Sequence, residues 1–269
     1  MRRTRAWAVA VMVAFAGVGI VADTVPAVFL NHFYVVVDAE TYEAAQASAL
    51  LTRDFAPFEK RTTQRNDTSY TGVYWYGQRT YFELFEPGAQ GPAGASGLAL
   101  GVESAGASVA VEQAWKAARG TAGRGLRVFL MEYHGDFLAR WYGPLTPARS
   151  ITRADVLDRY VAKIGGRREG TLLEDVTGLT IGLAPESREA LVEPLRAVGW
   201  TSRTEGTSVA CSGPESVVLR LVEPGGGPPG ITEVVFSLRQ AAEAATHRLG
   251  TAELRLEGRS ARLGFRPAR

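Results

Sequence analysis

The chain has 269 residues, 46% of them hydrophobic and 22% charged, with a formal net charge of +2. That composition excludes a disordered chain and leaves room for one large or two small domains. Nearly all the basic residues are arginines, and no basic stripe interleaved with aromatics marks a nucleic-acid surface.

The N-terminus reads "RRTR" and then "AWAVAVMVAFAGVGIVA", uncharged to Ala22. A basic end, an apolar stretch and small residues form the layout of a secretory signal, with "VPA" ending at Ala27 as an acceptable cleavage site. The rival is an uncleaved anchor, although the stretch is short of a span of ~20 residues. Only that segment would bring the chain to a membrane. Cys211 is the one cysteine, so an exported chain holds no intrachain disulfide. In "TSVACSGPESVVLRL", a strand–turn–strand pattern, it reads as a small buried hydrophobe.

The first strand is expected over 30–38, in "FLNHFYVVVD". Period 2 places Leu30, His32, Tyr34 and Val36 on one face, where His32 is either a packed core residue or a ligand. An alanine-rich helix over 41–54 follows, with Pro57 just beyond it. Next come the strand patterns "FEKRTTQR", "TGVYWYG" and "TYFELFE", with Gly77-Gln78 at the turn between the last two. "SGLALGVE", a helix through "VEQAWKAA" and the strand "LRVFLMEYH" come after these. "SITRADVLDRYVAKIGG" predicts a linking helix. Thr152 and Asp155 form its capping box, Val156, Leu157, Tyr160, Val161 and Ile164 fall on one face, and Gly165-Gly166 ends it.

The pattern then repeats. "VVVDAETYEA" at 35–44 resembles "IGLAPESREA" at 181–190, and "TYFELFEPG" at 80–88 resembles "SVVLRLVEPG" at 216–225. Two matches in one order predict two homologous halves, each a strand, a helix and three strands. We therefore expect a leader over 1–27, a first half over 28–145, a helical linker over 146–171 and a degenerate second half over 172–269. The fold class is α+β, with curved mixed sheets.

His32 in "LNHFYVVVD" and Glu83 in "YFELFEP", set in a repeated strand–helix–three-strand unit, resemble the vicinal-oxygen-chelate (glyoxalase-like) superfamily. Together with "RTTQRNDTSYTGVYWYG", "SGLALGVE" and "MEYHGDFLARW", they are similar to a bacterial group of exported glyoxalase-like proteins without assigned activity. The resemblance implies paired units forming cups, whose floor ligands bind a divalent metal in many members. Here the second half offers Gly178 and Arg220 at the matching positions, and the short unit after the first offers Gly97. Glu132 and His134 share a strand face and supply the remaining candidates. The expected metal set is His32 and Glu83 with Glu132 or His134 as the third ligand, and Glu83 and Glu132 are the expected catalytic carboxylates. Tyr34, Tyr74, Tyr76 and Arg220 are the expected substrate pocket. The bland readings are core packing for His32 and the tyrosines, an arginine partner for Glu83, such as Arg220, and a solvated strand end for Glu132 and His134.

No nucleophile elbow, phosphate-binding loop or dinucleotide fingerprint is visible, so no nucleotide cofactor is expected. Two function classes follow, both with a small-molecule partner and neither with nucleic acid. One is a metal-dependent lyase or dioxygenase on an oxygen-chelating substrate, using one divalent metal. The other is a metal-free binding or sequestering protein using the same cup.

Overall fold

A computed structural model describes residues 25–65, 68–118, 126–133, 139 and 151–265. The expected leader and His134 lie outside the described residues. No helix among the described residues is long and apolar enough to cross a membrane.

The first half runs β1 (Phe29–Val36), α1 (Ala39–Ala47), β2 (Phe58–Arg65), β3 (Thr68–Tyr76) and β4 (Tyr81–Phe85), then β5 (Ser96–Val102), α2 (Ala107–Ala117) and β6 (Leu126–Glu132). After α3 (Arg153–Lys163), the second half runs β7 (Leu173–Gly182), α4 (Pro185–Ala197), β8 (Thr201–Glu205), β9 (Ser208–Ser212) and β10 (Val218–Val222). A long hairpin, β11 (Gly230–Leu249) and β12 (Ala252–Phe265), closes the chain.

These strands form two six-stranded sheets, ordered β2-β3-β4-β1-β5-β6 and β8-β9-β10-β7-β11-β12. β1 lies between a parallel β4 and an antiparallel β5, and β7 between a parallel β10 and an antiparallel β11. The two units occupy equivalent places in their sheets, so the repeated α+β architecture with mixed sheets expected from the sequence is the one observed. The first helix is shorter than expected. Asp38 caps α1 by accepting from the Thr41 amide at 2.8 Å, but Ser48 turns extended (ψ 111°), and a separate wide turn, Leu50–Phe55, carries the chain onward.

One core joins both halves. Phe33, Trp75 and Phe82 from the first sheet meet Val176, Phe236 and Leu254 from the second, with Tyr42 of α1 and Leu191 and Leu195 of α4 among them. The Phe82 and Phe236 rings sit 5.3 Å apart, and the Trp200 indole donates to the Val28 carbonyl at 2.9 Å. Cys211 is buried in this core, and burial pushes its thiol up to about 11, as a structural cysteine requires.

The simple alternation expected for β1 fails at one residue. Leu30 pairs with Leu100 and His32 with Ala99, so Asn31 is an extra residue, a β-bulge. Leu30 joins Phe33 and Val35 in the shared core, while His32, Tyr34 and Val36 turn to the opposite face of the sheet.

At this bulge the Leu30 carbonyl accepts from Arg153 Nη1 at 2.6 Å. Arg153 is 1% exposed; its Nε lies 3.0 Å from Glu103, its Nη2 2.6 Å from Glu215, and its guanidinium 4.4 Å above the Phe29 ring. Glu215 also holds Arg79 at 3.1 Å, and Asp175 of β7 accepts from the Arg79 and Thr80 amides at 3.1 and 3.0 Å. A chain of charge-assisted contacts thus runs from the end of β5 through the start of α3 into the second half. Arg153→Ala takes the guanidinium away from a buried carbonyl and two carboxylates, leaving them the Thr80 hydroxyl, the residue-153 amide and Arg79. It is expected to lower stability by about 3–5 kcal/mol in urea unfolding, and Arg153→Lys to recover only part, because a point charge cannot replace the guanidinium fork. A loss below about 1 kcal/mol for Arg153→Ala, the size of an exposed ion pair, would contradict this role.

Candidate functional site

The face of the first sheet that turns away from the shared core carries the candidate site. The bulge delivers His32 and Tyr34 to it, β4 delivers Tyr81 and Glu83, and β3 delivers Tyr74 and Tyr76. On β5 this face is nearly bare, because a Cβ on Gly97 would come within 2.1 Å of the Tyr34 ring.

The structure brings His32 and Glu83 together. His32 Nε2 lies 3.9 Å from Glu83 Oε1, and their side chains are 14% and 11% exposed. The imidazole stacks on Tyr81 with ring centroids 4.5 Å apart, and its Nδ1 meets Asn31 Oδ1 at 2.8 Å. Asn31 Oδ1 also accepts from the Tyr133 hydroxyl at 3.1 Å. With that oxygen as acceptor, the imidazole proton sits on Nδ1 and the Nε2 lone pair is left towards the carboxylate. Burial, aided by the Arg61 charge, lowers the His32 pKa to about 3. The pair is therefore a neutral imidazole beside the Glu83 carboxyl group, too far apart for a hydrogen bond.

Glu132 is elsewhere. Its strand pairs in parallel with β5, Val102 opposite Glu132, so it shares the face of Leu126, Val128 and Leu130 rather than that of Glu83. There Glu132 accepts from the amides of Gly106 and Ser108 at 2.6 and 3.0 Å, capping α2, whose N-cap Gly106 has no side chain to do so. The expected catalytic and ligand role of Glu132 is thus corrected to a helix cap. The alternation of apolar residues along β6 carries this signal.

The expected tyrosine pocket is also revised. Tyr34, Tyr74 and Tyr76 are buried with Val36 and Phe85 under Leu157 and Val161 of α3. Tyr160 of α3 stacks on Tyr76, centroids 5.8 Å apart and planes 11° from parallel. The Tyr76 hydroxyl donates to Glu59 at 2.6 Å, and the Arg61 guanidinium lies 4.1 Å over Tyr74. These tyrosines form a closed aromatic layer beneath the protein's own helix. Arg220 does not join them. Leu219 and Leu221 beside it face the shared core, so Arg220 stands exposed on the far side of the second sheet, paired with Glu205 rather than Glu83.

Among the described residues, no three histidine, cysteine, aspartate or glutamate side chains are placed to hold one ion. Catalytic metal sites use three protein ligands and leave a position open. The described residues supply two, His32 and Glu83, while the expected donor His134 lies outside the described residues.

A family of unknown function (DUF5829) matches residues 30–124 and 121–265. The chain belongs to that family. No curated protein matches the chain. Among solved structures, it is similar to a xylose isomerase-like TIM barrel/4-hydroxyphenylpyruvate dioxygenase fusion protein, at 14% identity and a TM-score of 0.43, over 77% of this chain and 34% of that one. It is also similar to a mutant of 4-hydroxymandelate synthase from Streptomyces coelicolor, at 13% identity and a TM-score of 0.42, over 76% of this chain and 69% of that one. The chain therefore spans about a third of the length of the fusion protein.

The His32 environment has a pH consequence. The unfolded chain takes a proton on His32 near 6.5, and the folded chain only near 3. The unfolded state binds more protons between those values, so this residue's contribution is complete above pH 6.5 and is lost as pH falls towards 3. The slope is at most about 1.4 kcal/mol per pH unit. His32→Gln is expected to flatten the stability–pH curve between pH 6 and about 4, and the His32 imidazole resonances should show no protonation down to about pH 5. Protonation with a midpoint near the ordinary value would contradict the buried neutral state.

Proposed function

We propose that this chain is an exported small-molecule binding protein built on a glyoxalase-like scaffold and working without a metal. One observation carries the reading. Helix α3 lies on the functional face of the first sheet, covering Tyr34, Tyr74 and Tyr76, while Glu132 is drawn away to cap α2. Two donors beside a helix-covered aromatic layer suit a scaffold without metal chemistry better than one that performs it. Export rests on the N-terminal signal layout alone.

A metal-dependent lyase or dioxygenase is the second reading, favoured by the His32–Glu83 pair itself. A ligating histidine usually donates its other ring N–H to a carbonyl or carboxylate, and Asn31 offers that contact to Nδ1. In this reading His32 and Glu83 would hold a divalent ion, which would polarise a chelating oxygen substrate.

Elemental analysis of the purified protein, beside His32→Ala, separates the two. The binding reading predicts substoichiometric metal in both proteins, and no rise in melting temperature on adding divalent ions. Stoichiometric metal in the wild type that His32→Ala removes would overturn it in favour of the enzyme.

A further inference from the structure

Away from the aromatic face, a cleft of about 530 Å³ opens where the two halves meet, within the size range of small-molecule sites. It lies beyond the C-terminal end of β1. Two Pro/Gly-rich loops wall it, one before β5 and one before β11. These loops touch at Gly94, where a Cβ would come within 2.3 Å of Pro228 and where φ is +88°. A glycine is needed there for both reasons. Ile231 and Phe265 give the cleft an apolar side, and Asp38, Thr41 and Thr251 a polar end.

The hydrogen bonds of that polar end can be counted. Asp38 Oδ1 accepts from the Thr41 amide at 2.8 Å, and Oδ2 accepts from the hydroxyls of Thr41 and Thr251 at 3.0 and 2.6 Å. Thr41 Oγ1 in turn accepts from the Thr251 amide at 2.9 Å. The two threonine oxygens also lie 3.1 Å apart, and Thr41 is buried, so its oxygen is taken up within the cluster, while Asp38 and Thr251 stay partly exposed. What remains towards the cleft is oxygen lone pairs and a negative charge. Burial alone would raise the Asp38 pKa, but the Thr251 and Thr41 hydrogen bonds together hold it below the ordinary carboxylate value. Glu223 adds a second carboxylate to the lining, and no lysine, arginine or histidine is among the described residues that line the cleft. Glu223 is itself held by Arg188 at 3.3 Å, so its charge is partly answered from outside.

A site with acceptors at one end, apolar walls and no lining cation selects a donor-rich cation with an apolar body. We infer that the cleft between the halves binds a small organic ammonium ion, its N–H groups at Asp38 and Thr251 and its hydrocarbon part against Ile231 and Phe265. The inference rests on the reading of the chain as a binding protein and names its ligand class. It does not involve His32 or Glu83.

Calorimetric titration of the full chain with three probes of one shape tests it: 2-phenylethylammonium, 2-phenylethanol and phenylacetate. The ammonium ion is expected to bind saturably, the alcohol about tenfold or more weakly, and the carboxylate not at all. Asp38→Asn keeps a good N-cap while removing the charge, so it should abolish the preference for the ammonium ion without unfolding α1. Phe265→Ala, which leaves the polar end untouched, should weaken the ammonium ion and the alcohol alike. Binding of the alcohol or the carboxylate as tightly as the ammonium ion overturns the ligand class while leaving a binding protein standing. Ammonium binding that survives Asp38→Asn unchanged, or no binding of any probe, overturns the site. The reading of the chain as metal-free stands or falls separately, on its metal content.

Discussion

The bulge at Asn31, with Arg153 bound to it, is the constraint on which the rest of the structure depends. One extra residue in β1 sends Leu30 into the shared core and His32 to the opposite face. The same bulge presents the Leu30 carbonyl to a guanidinium that is almost wholly buried. A buried cation is costly unless each of its donors is matched, and Glu103, Glu215 and that carbonyl provide the match. Because Arg153 is the first residue of α3, satisfying it also fixes where the helix begins. The apolar stripe of α3 then lies on the tyrosines of the first sheet.

That arrangement changes what the repeated sheet architecture can do here. The paired units keep their sheet order, so the frame for a cup survives in the first half. Its floor keeps one imidazole and one carboxylate, but the described residues add no third donor, and the aromatic side of the cup is closed by Tyr160, Leu157 and Val161. In the second sheet the corresponding face carries Arg220 and Glu205, an exposed ion pair of little energetic weight. A space of small-molecule size lies at the junction of the halves, where the β11–β12 turn brings Thr251 to the N-terminus of α1.

Much of the fold was legible because it is written twice. The "EPG" turns and the repeated strand–helix starts placed β1 and β7 in equivalent positions, and the capping box of Thr152 and Asp155 is present as spaced. The amphipathic stripe of α3 was also legible, but no periodicity says which surface a stripe will cover. The bulge was not, since alternation reads the same until one residue breaks it. Glu132 was misread because its face depends on the register of β6 against β5, a pairing made across α2 rather than within a local pattern. Arg153 carries no local signal, because its carboxylate partners Glu103 and Glu215 lie 50 and 62 residues away in sequence. The Asp38–Thr251 contact joins residues 213 apart in sequence, beyond any local signal.

Amide hydrogen exchange along α3 tests the central claim most directly, because it asks whether this helix is a fixed part of the first half. Buried, tightly packed segments open only with the global fold, whereas loosely held ones open locally at much lower cost. The account predicts that the amides of Val156 to Lys163 exchange as slowly as those of β1 and β4, and that Arg153→Ala speeds them more than it speeds the strands. Fast exchange over α3 in the intact protein, with protected strands beneath it, would show an uncovered cup and contradict the account.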